Sequence, residues 1–176
     1  MKHILIVVDM QKDFVDGALG TAEAVSIVEN VAAKIAAHTG PIVVTYDTHC
    51  ENYMDTAEGR KLPIPHCIKG TDGWQLNARV AEALAEKEYT AIEKPTFGSV
   101  KLPALVEELA AGEDFSLELI GLCTDICVVS NALLLKANFP ESPISVDASC
   151  CAGVTPESHA AALTTMGFCQ IDVTNR

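Results

Sequence analysis

The sequence predicts an α/β protein with a three-layer, Rossmann-like fold around a six-stranded parallel sheet. Two observations carry that reading. Short apolar runs bounded by polar or turn residues recur at residues 4–8, 42–46, 89–93 and 115–120, and runs of this kind are strands buried on both faces, as in parallel sheets. Between them lie segments with helical spacing of apolar residues, and strand–helix alternation builds right-handed βαβ units. A third observation concerns function. Each run is followed by polar residues that can do chemistry: Asp9; Asp47 with His49; Lys94; and Gly121 leading to Cys127. Open parallel sheets bind ligands at the carboxyl ends of their strands, so these groups are expected on one edge of one sheet.

The elements follow in order. Residues 3–8 form the first strand. Residues 21–38 form a helix capped by Thr21 and stopped by Gly40 and Pro41. The second strand spans residues 42–46. Residues 47–73, rich in polar residues and containing Pro63 and Pro65, form a loop of the length that is usually functional. Residues 74–87 carry Leu76, Val80, Ala83 and Leu84 at helical spacing. The third strand spans residues 89–93, and Pro103 opens a helix over residues 102–111. The fourth strand spans residues 115–120 and leads into a nearly all-apolar, hence buried, helix over residues 125–138. Residues 144–146 form the fifth strand, residues 156–166 a helix capped by Thr155, and residues 168–173 the sixth strand. The expected strand order is 3-2-1-4-5-6.

Composition narrows the function. The 176 residues, 49% hydrophobic and 20% charged, suit one domain over residues 1–176. A net charge of −12 argues against nucleic acid as a partner, because duplex affinity rests on Lys and Arg at phosphates. No apolar stretch reaches the ~20 residues needed to span a bilayer, and the run at 4–8 is too short for a signal peptide core. Seven cysteines, an odd number, fit a reduced, cytoplasmic protein better than a disulfide framework. No G-x-G-x-x-G follows the first strand, where the chain reads Asp9-Met10-Gln11-Lys12-Asp13, so dinucleotide binding is set aside.

Cys127 lies in the first turn of the helix after strand four. The unpaired N–H groups there favour a thiolate and can hold an oxyanion. Position alone does not separate a nucleophile from a packed helix cysteine. Cys123, in the turn before the helix, is the weaker nucleophile candidate. Asp9, buried beside a thiol, could accept its proton. Lys94 would supply a fixed positive charge. Asp13 reads as a structural hydrogen-bonder. Asp47 and His49 alternate on one side of an extended chain, and His66 returns from the long loop. Two imidazoles and a carboxylate, with Glu58 as a candidate fourth ligand, suit Zn²⁺, Fe²⁺ or Mn²⁺. A rival zinc site through Cys50 and Cys67 ranks lower, since each adjoins a histidine and adjacent residues rarely ligate the same ion.

Taken together, Asp9-x-Gln11-x-Asp13-Phe14, Asp47-x-His49, Pro65-His66-Cys67, Lys94 and Gly121-x-x-Thr124-Asp125-x-Cys127-Val128 resemble, in order, the nicotinamidase branch of the isochorismatase-like cysteine hydrolases. The resemblance runs from the first strand to the helix beginning at residue 125. It implies a catalytic triad of Asp9, Lys94 and Cys127, with a metal, Zn²⁺ foremost, on Asp47, His49 and His66. It also implies a cis peptide before Cys123 that turns its N–H, with that of Cys127, toward an oxyanion. An aromatic clamp around a pyridine ring is implied too, with Phe14, Trp74 and Phe97 as candidates. Cysteine at position 123 departs from the more familiar Ala or Val. The implied reaction converts nicotinamide to nicotinate and ammonia through a thioester. Alternatives are a related hydrolase of another small amide or ureido compound, and a non-catalytic ligand-binding member. The expected partner is a small-molecule amide; assembly as a homo-oligomer is left open.

Overall fold

Residues 4–8 offer no polar face, and the chain buries both. In a computed structural model covering residues 1–176, β1 (Lys2–Val8) lies inside a sheet with β2 (Ile42–Asp47), β3 (Tyr89–Lys94), β4 (Phe115–Leu122), β5 (Ile144–Ala152) and β6 (Asp172–Thr174). The strands are all parallel, in the order β3-β2-β1-β4-β5-β6. Because side chains alternate across a strand, Ile4, Ile6 and Val8 pack with Leu117 and Leu119 on one face. Leu5 and Val7 pack with Ile42, Val44 and Ile120 on the other. This α/β architecture, with six parallel strands and helices on both faces, is the one the sequence predicts.

The helices are α1 (Lys12–Val15), α2 (Ala22–Ser26), α3 (Val28–Ala37), α4 (Ala57–Lys61), α5 (Ala78–Leu84), α6 (Leu102–Ala110), α7 (Val129–Asn138) and α8 (Pro156–Phe168). None is long and apolar enough to cross a membrane. Several bounds differ from expectation for identifiable reasons. The helix expected over 21–38 is interrupted at Ile27 between α2 and α3. There the Ser26 hydroxyl donates to the Glu23 carbonyl at 2.7 Å and competes with the backbone for that acceptor. Residues 74–77 do not join α5. They are drawn to the segment after β1, where Lys12 N–H donates to Gln75 O (2.8 Å) and Asn77 N–H to Met10 O (2.9 Å), and the Asn77 side chain then caps α5. Strand five runs on to Ala152 through buried Cys150 and Cys151. The expected start of strand six is instead the end of α8, where Phe168 points to solvent. The loop after β2 contains a 3₁₀ turn at Tyr53–Asp55 as well as α4.

Strand register sets the site. Val8 pairs with Thr45 on one side and Gly121 on the other, and Asp47 pairs with Lys94 two residues further along, so four strands end close together on one edge. Gly121 has φ 114°, and a Cβ there would lie 2.2 Å from the Val8 carbonyl oxygen. Only glycine permits that approach between the strand leading to Asp9 and the strand leading to Cys127. Gly121→Ala is therefore expected to destabilise the fold by about 3 kcal/mol, the combined cost of a strained φ and a forced backbone shift. Urea unfolding reads this directly, and an unchanged midpoint would contradict the close packing.

Candidate active site

At the carboxyl edge of the sheet the expected residues come together. Lys94 is the last residue of β3 and almost wholly buried, with its Nζ 2.7 Å from Asp9 Oδ2, 3.3 Å from Asp47 Oδ1 and 3.4 Å from Cys127 Sγ. A lysine without water survives as a cation only when opposite charges surround it. Burial alone would lower its pKa; Asp9, Cys127 and Asp47 more than reverse that, so the ammonium stays charged. Asp9 follows β1 with φ 49°, a left-handed conformation that short polar residues tolerate best. Thr45 Oγ1 donates to Asp9 Oδ1 at 2.6 Å, so each carboxylate oxygen is held from a different side. Burial raises the Asp9 pKa, with Lys94 acting against it.

Cys127 sits in a π-helical turn, Thr124–Val128, that joins β4 to α7. The N–H groups of Ile126 and Val128 both donate to the Cys123 carbonyl, at 3.1 and 3.0 Å, while that of Cys127 between them does not. The Cys123 N–H makes no hydrogen bond within the protein, and the Leu122–Cys123 peptide is cis. Burial, and then the negative charge of Asp9, pushes the Cys127 thiol well above its ordinary pKa. The thiol is thus held toward its protonated form, and the Lys94 ammonium that touches it also contacts the Asp9 carboxylate. Cys123 lines the same cavity, and burial followed by the Asp125 charge pushes its pKa up to about 12.

Beside this group, Asp47, His49 and His66 turn one ligand atom each toward a common point, all within 4.8 Å of one another. Asp47 Oδ2 is 2.9 Å from His49 Nε2 and 3.6 Å from His66 Nε2, and Glu58 Oε1 is 3.8 and 3.7 Å from the same two nitrogens. Ligands at ~2.0–2.2 Å from a tetrahedral ion stand roughly 3.4 Å apart, so the donor set fits a divalent metal, with Glu58 on the exposed side. The His66 Nδ1 donates to the Ile64 carbonyl at 2.9 Å, which leaves the Nε2 lone pair facing inward, the usual arrangement of a ligating imidazole. Burial would raise the Asp47 pKa, but His49, His66 and Lys94 together hold it below the ordinary carboxylate range. Cys50 is exposed, and Cys67, though buried, is not among the grouped ligand atoms.

Two residues of the opening motif hold this cluster in place. Gln11 accepts from Asp47 N–H (2.8 Å) and donates to the carbonyls of Asp47 and Trp74, both at 2.9 Å. Asp13 accepts from Cys67 N–H at 2.8 Å, fixing the residue after His66. Tyr53 packs edge-on against both imidazoles, with ring centroids at 4.8 and 5.0 Å. The role of Thr45 escaped the sequence reading; the only signal was a threonine inside the apolar run 42–46.

The site opens into a cavity of about 600 Å³, lined among others by Phe14, His66, Phe97, Cys123, Ile126 and Cys127. Phe14 stands 5.3 Å from the His66 ring. Trp74 is a correction: it does not line the cavity. Its indole N–H donates to Thr48 Oγ1 at 3.0 Å, and its ring packs on Tyr46, which turns it away from the site.

Comparison with known proteins agrees with this geometry. The isochorismatase domain family matches residues 3–175. The uncharacterised isochorismatase family protein PncA of Bacillus subtilis (strain 168) is 32% identical over 177 residues, 93% of either chain. The crystal structure of the nicotinamidase/pyrazinamidase PncA from Bacillus subtilis is similar with a TM-score of 0.85 at 27% identity, over 99% of this chain and 100% of that one. The pyrazinamidase of Pyrococcus horikoshii, solved in complex with zinc, gives 0.82 at 25% identity over 100% of both chains. The chain belongs to the isochorismatase family and stands in its nicotinamidase branch.

The cluster geometry carries a direct test. Zinc-loaded protein is expected to keep about one equivalent of metal on dialysis. His49→Ala and His66→Ala should each weaken binding by at least about a hundredfold, more than the loss of a supporting hydrogen bond brings, as read by competition titration with a chelator. Wild-type affinity in His66→Ala would remove that histidine from the site.

Proposed function

We propose that this nicotinamidase-like hydrolase, an enzyme acting on C–N amide bonds, converts nicotinamide to nicotinate and ammonia through a thioester on Cys127. The observation that carries the reading is the buried Lys94 ammonium, 2.7 Å from the Asp9 carboxylate and 3.4 Å from the Cys127 sulfur. A buried cation touching both a carboxylate and a thiol, with the thiol lining a small-molecule cavity, suits nucleophilic attack on a small amide.

The steps follow from the protonation states. Asp9 takes the Cys127 proton as the sulfur attacks the amide carbon, because a thiol held protonated by burial ionises best in the act of attack. The N–H groups of Cys123 and Cys127 receive the oxyanion, each worth ~3 kcal/mol when well aimed. The C–N bond breaks as Asp9 returns the proton to departing ammonia. Asp9 then draws a proton from water, the hydroxide attacks the thioester, and the sulfur leaves and regains its proton. Lys94 stays charged throughout and steadies Asp9 in its ionised form. Phe14 and Phe97, which line the cavity, pack on the ring of the substrate in this reading.

A divalent metal on Asp47, His49, His66 and Glu58 would supply, when bound, a Lewis-acid anchor for a ring nitrogen, orienting the amide toward Cys127. Two imidazoles with carboxylates favour Zn²⁺, while Fe²⁺ and Mn²⁺ accept the same donors; the zinc complex of the Pyrococcus relative supports the first. All seven cysteines are free thiols, which suits a reducing, cytoplasmic setting.

The test is ammonia release from nicotinamide, pyrazinamide and ureido compounds. Turnover is expected to be best with nicotinamide, and Cys127→Ala should lower it by at least ~10⁴-fold with circular dichroism and metal content unchanged. Turnover retained in that variant would withdraw the nucleophile assignment. Preference for a ureido compound would move the substrate to the other side of the family.

A further inference from the structure

We propose that Asn131 is a positioning residue that clasps the Phe97 wall of the cavity to the nucleophile's turn and so sets how the substrate ring is held. The proposal rests on Cys127 being the nucleophile, and it assigns a role to a residue in α7 that touches no substrate.

Asn131 is completely buried. Its Nδ2 donates to the Cys127 carbonyl at 2.8 Å and to the Phe97 carbonyl at 3.1 Å, and its Oδ1 accepts from Ser99 N–H at 2.9 Å. Both amide hydrogens are therefore used. The group cannot flip, because an oxygen would then face two carbonyls. The two residues whose carbonyls it joins both line the cavity.

Little else holds that wall. β3 ends at Lys94, whose carbonyl accepts from Thr48 N–H, and the next link to another element is Ser99 O to Leu102 N–H at the start of α6. Residues 95–98 make one internal hydrogen bond, Thr96 Oγ1 to Gly98 O, and their one hydrogen bond to the rest of the protein is that from Asn131. Phe97 itself is 46% exposed, so packing restrains it only in part. Gly98 lets the segment lie close to α7: a Cβ there would stand 3.3 Å from the Ser130 carbonyl oxygen. A single buried amide is thus the hydrogen-bonded link between the aromatic wall and the turn that carries the sulfur. Positioning of that kind governs how often a bound substrate sits in attack geometry.

The test uses zinc-loaded enzyme. Asn131→Asp keeps the acceptor for Ser99 but sets an oxygen against two carbonyls. Gly98→Ala shifts the same segment without touching the amide, and serves if the first variant does not fold. Each is expected to raise KM for nicotinamide about tenfold, the upper end of what an aromatic contact contributes, with kcat within about threefold. In a Phe97→Ala background the same changes should add less than about twofold, because the wall they position is gone. Alkylation of Cys127 by iodoacetamide, followed by peptide mass spectrometry, needs no substrate and should become several-fold faster in both variants as the wall loosens. Effects that multiply with Phe97→Ala, a fall in kcat at constant KM, or unchanged alkylation would each overturn the clasp. Wild-type enzyme inert toward nicotinamide would instead refute the proposed function, and the alkylation rates would still decide the clasp.

Discussion

One buried ammonium holds the site together. Lys94 lies between Asp9 on one side and Asp47 on the other, with the Cys127 sulfur also within 3.4 Å. Moving a charge out of water costs several kcal/mol even after relaxation. Here two carboxylates offset that cost, and they in turn could not lie so close without the cation, since Asp47 raises the proton affinity of Asp9. Asp9, the proposed base, and Asp47, whose carboxylate faces His49 and His66, are thus one electrostatic unit. This explains why the third strand must end at residue 94 and pair with Asp47 in register.

Burial gives the thiol and the base matched tendencies. Both Cys127 and Asp9 are held toward their protonated forms by loss of water, so the burial that makes the thiol harder to ionise also makes the carboxylate a stronger base. A solvent-exposed carboxylate would be too weak a base for a buried thiol. Around this pair the scaffold is rigid where position matters: Thr45 fixes Asp9, Gln11 fixes the backbone at Asp47, and Asp13 fixes the backbone beside His66. Two of the residues doing this work, Gln11 and Asp13, come from the short stretch after β1, as does Asp9 itself.

The sheet was readable from sequence because strands buried on both faces leave continuous apolar runs, and the polar residue ending each run marks the ligand edge. What could not be read was decided by tertiary contacts. Residues 74–77 have helical spacing, yet they pair with residues 10–12 because Gln11 and Lys12 offer them hydrogen bonds. Trp74 is aromatic and close in sequence to the site, but composition does not give direction, and Thr48 captured its indole. Phe168 looked like the start of a strand and is a solvent-facing helix end. Thr45 and Asn131 passed unnoticed because single polar residues inside apolar stretches read as noise until their partners are known. The metal-type residues were legible by identity, whereas the approach of Glu58 depends on a short helix, α4, within what looked like an unstructured loop.

The central claim is that the sulfur beside this ammonium forms the covalent intermediate. Rapid acid quenching during nicotinamide turnover, followed by peptide mass analysis, tests it most directly. The account requires one nicotinoyl group on the peptide carrying Cys127 and on no other cysteine. Turnover without any acylated peptide, or acylation at Cys123 instead, would contradict it.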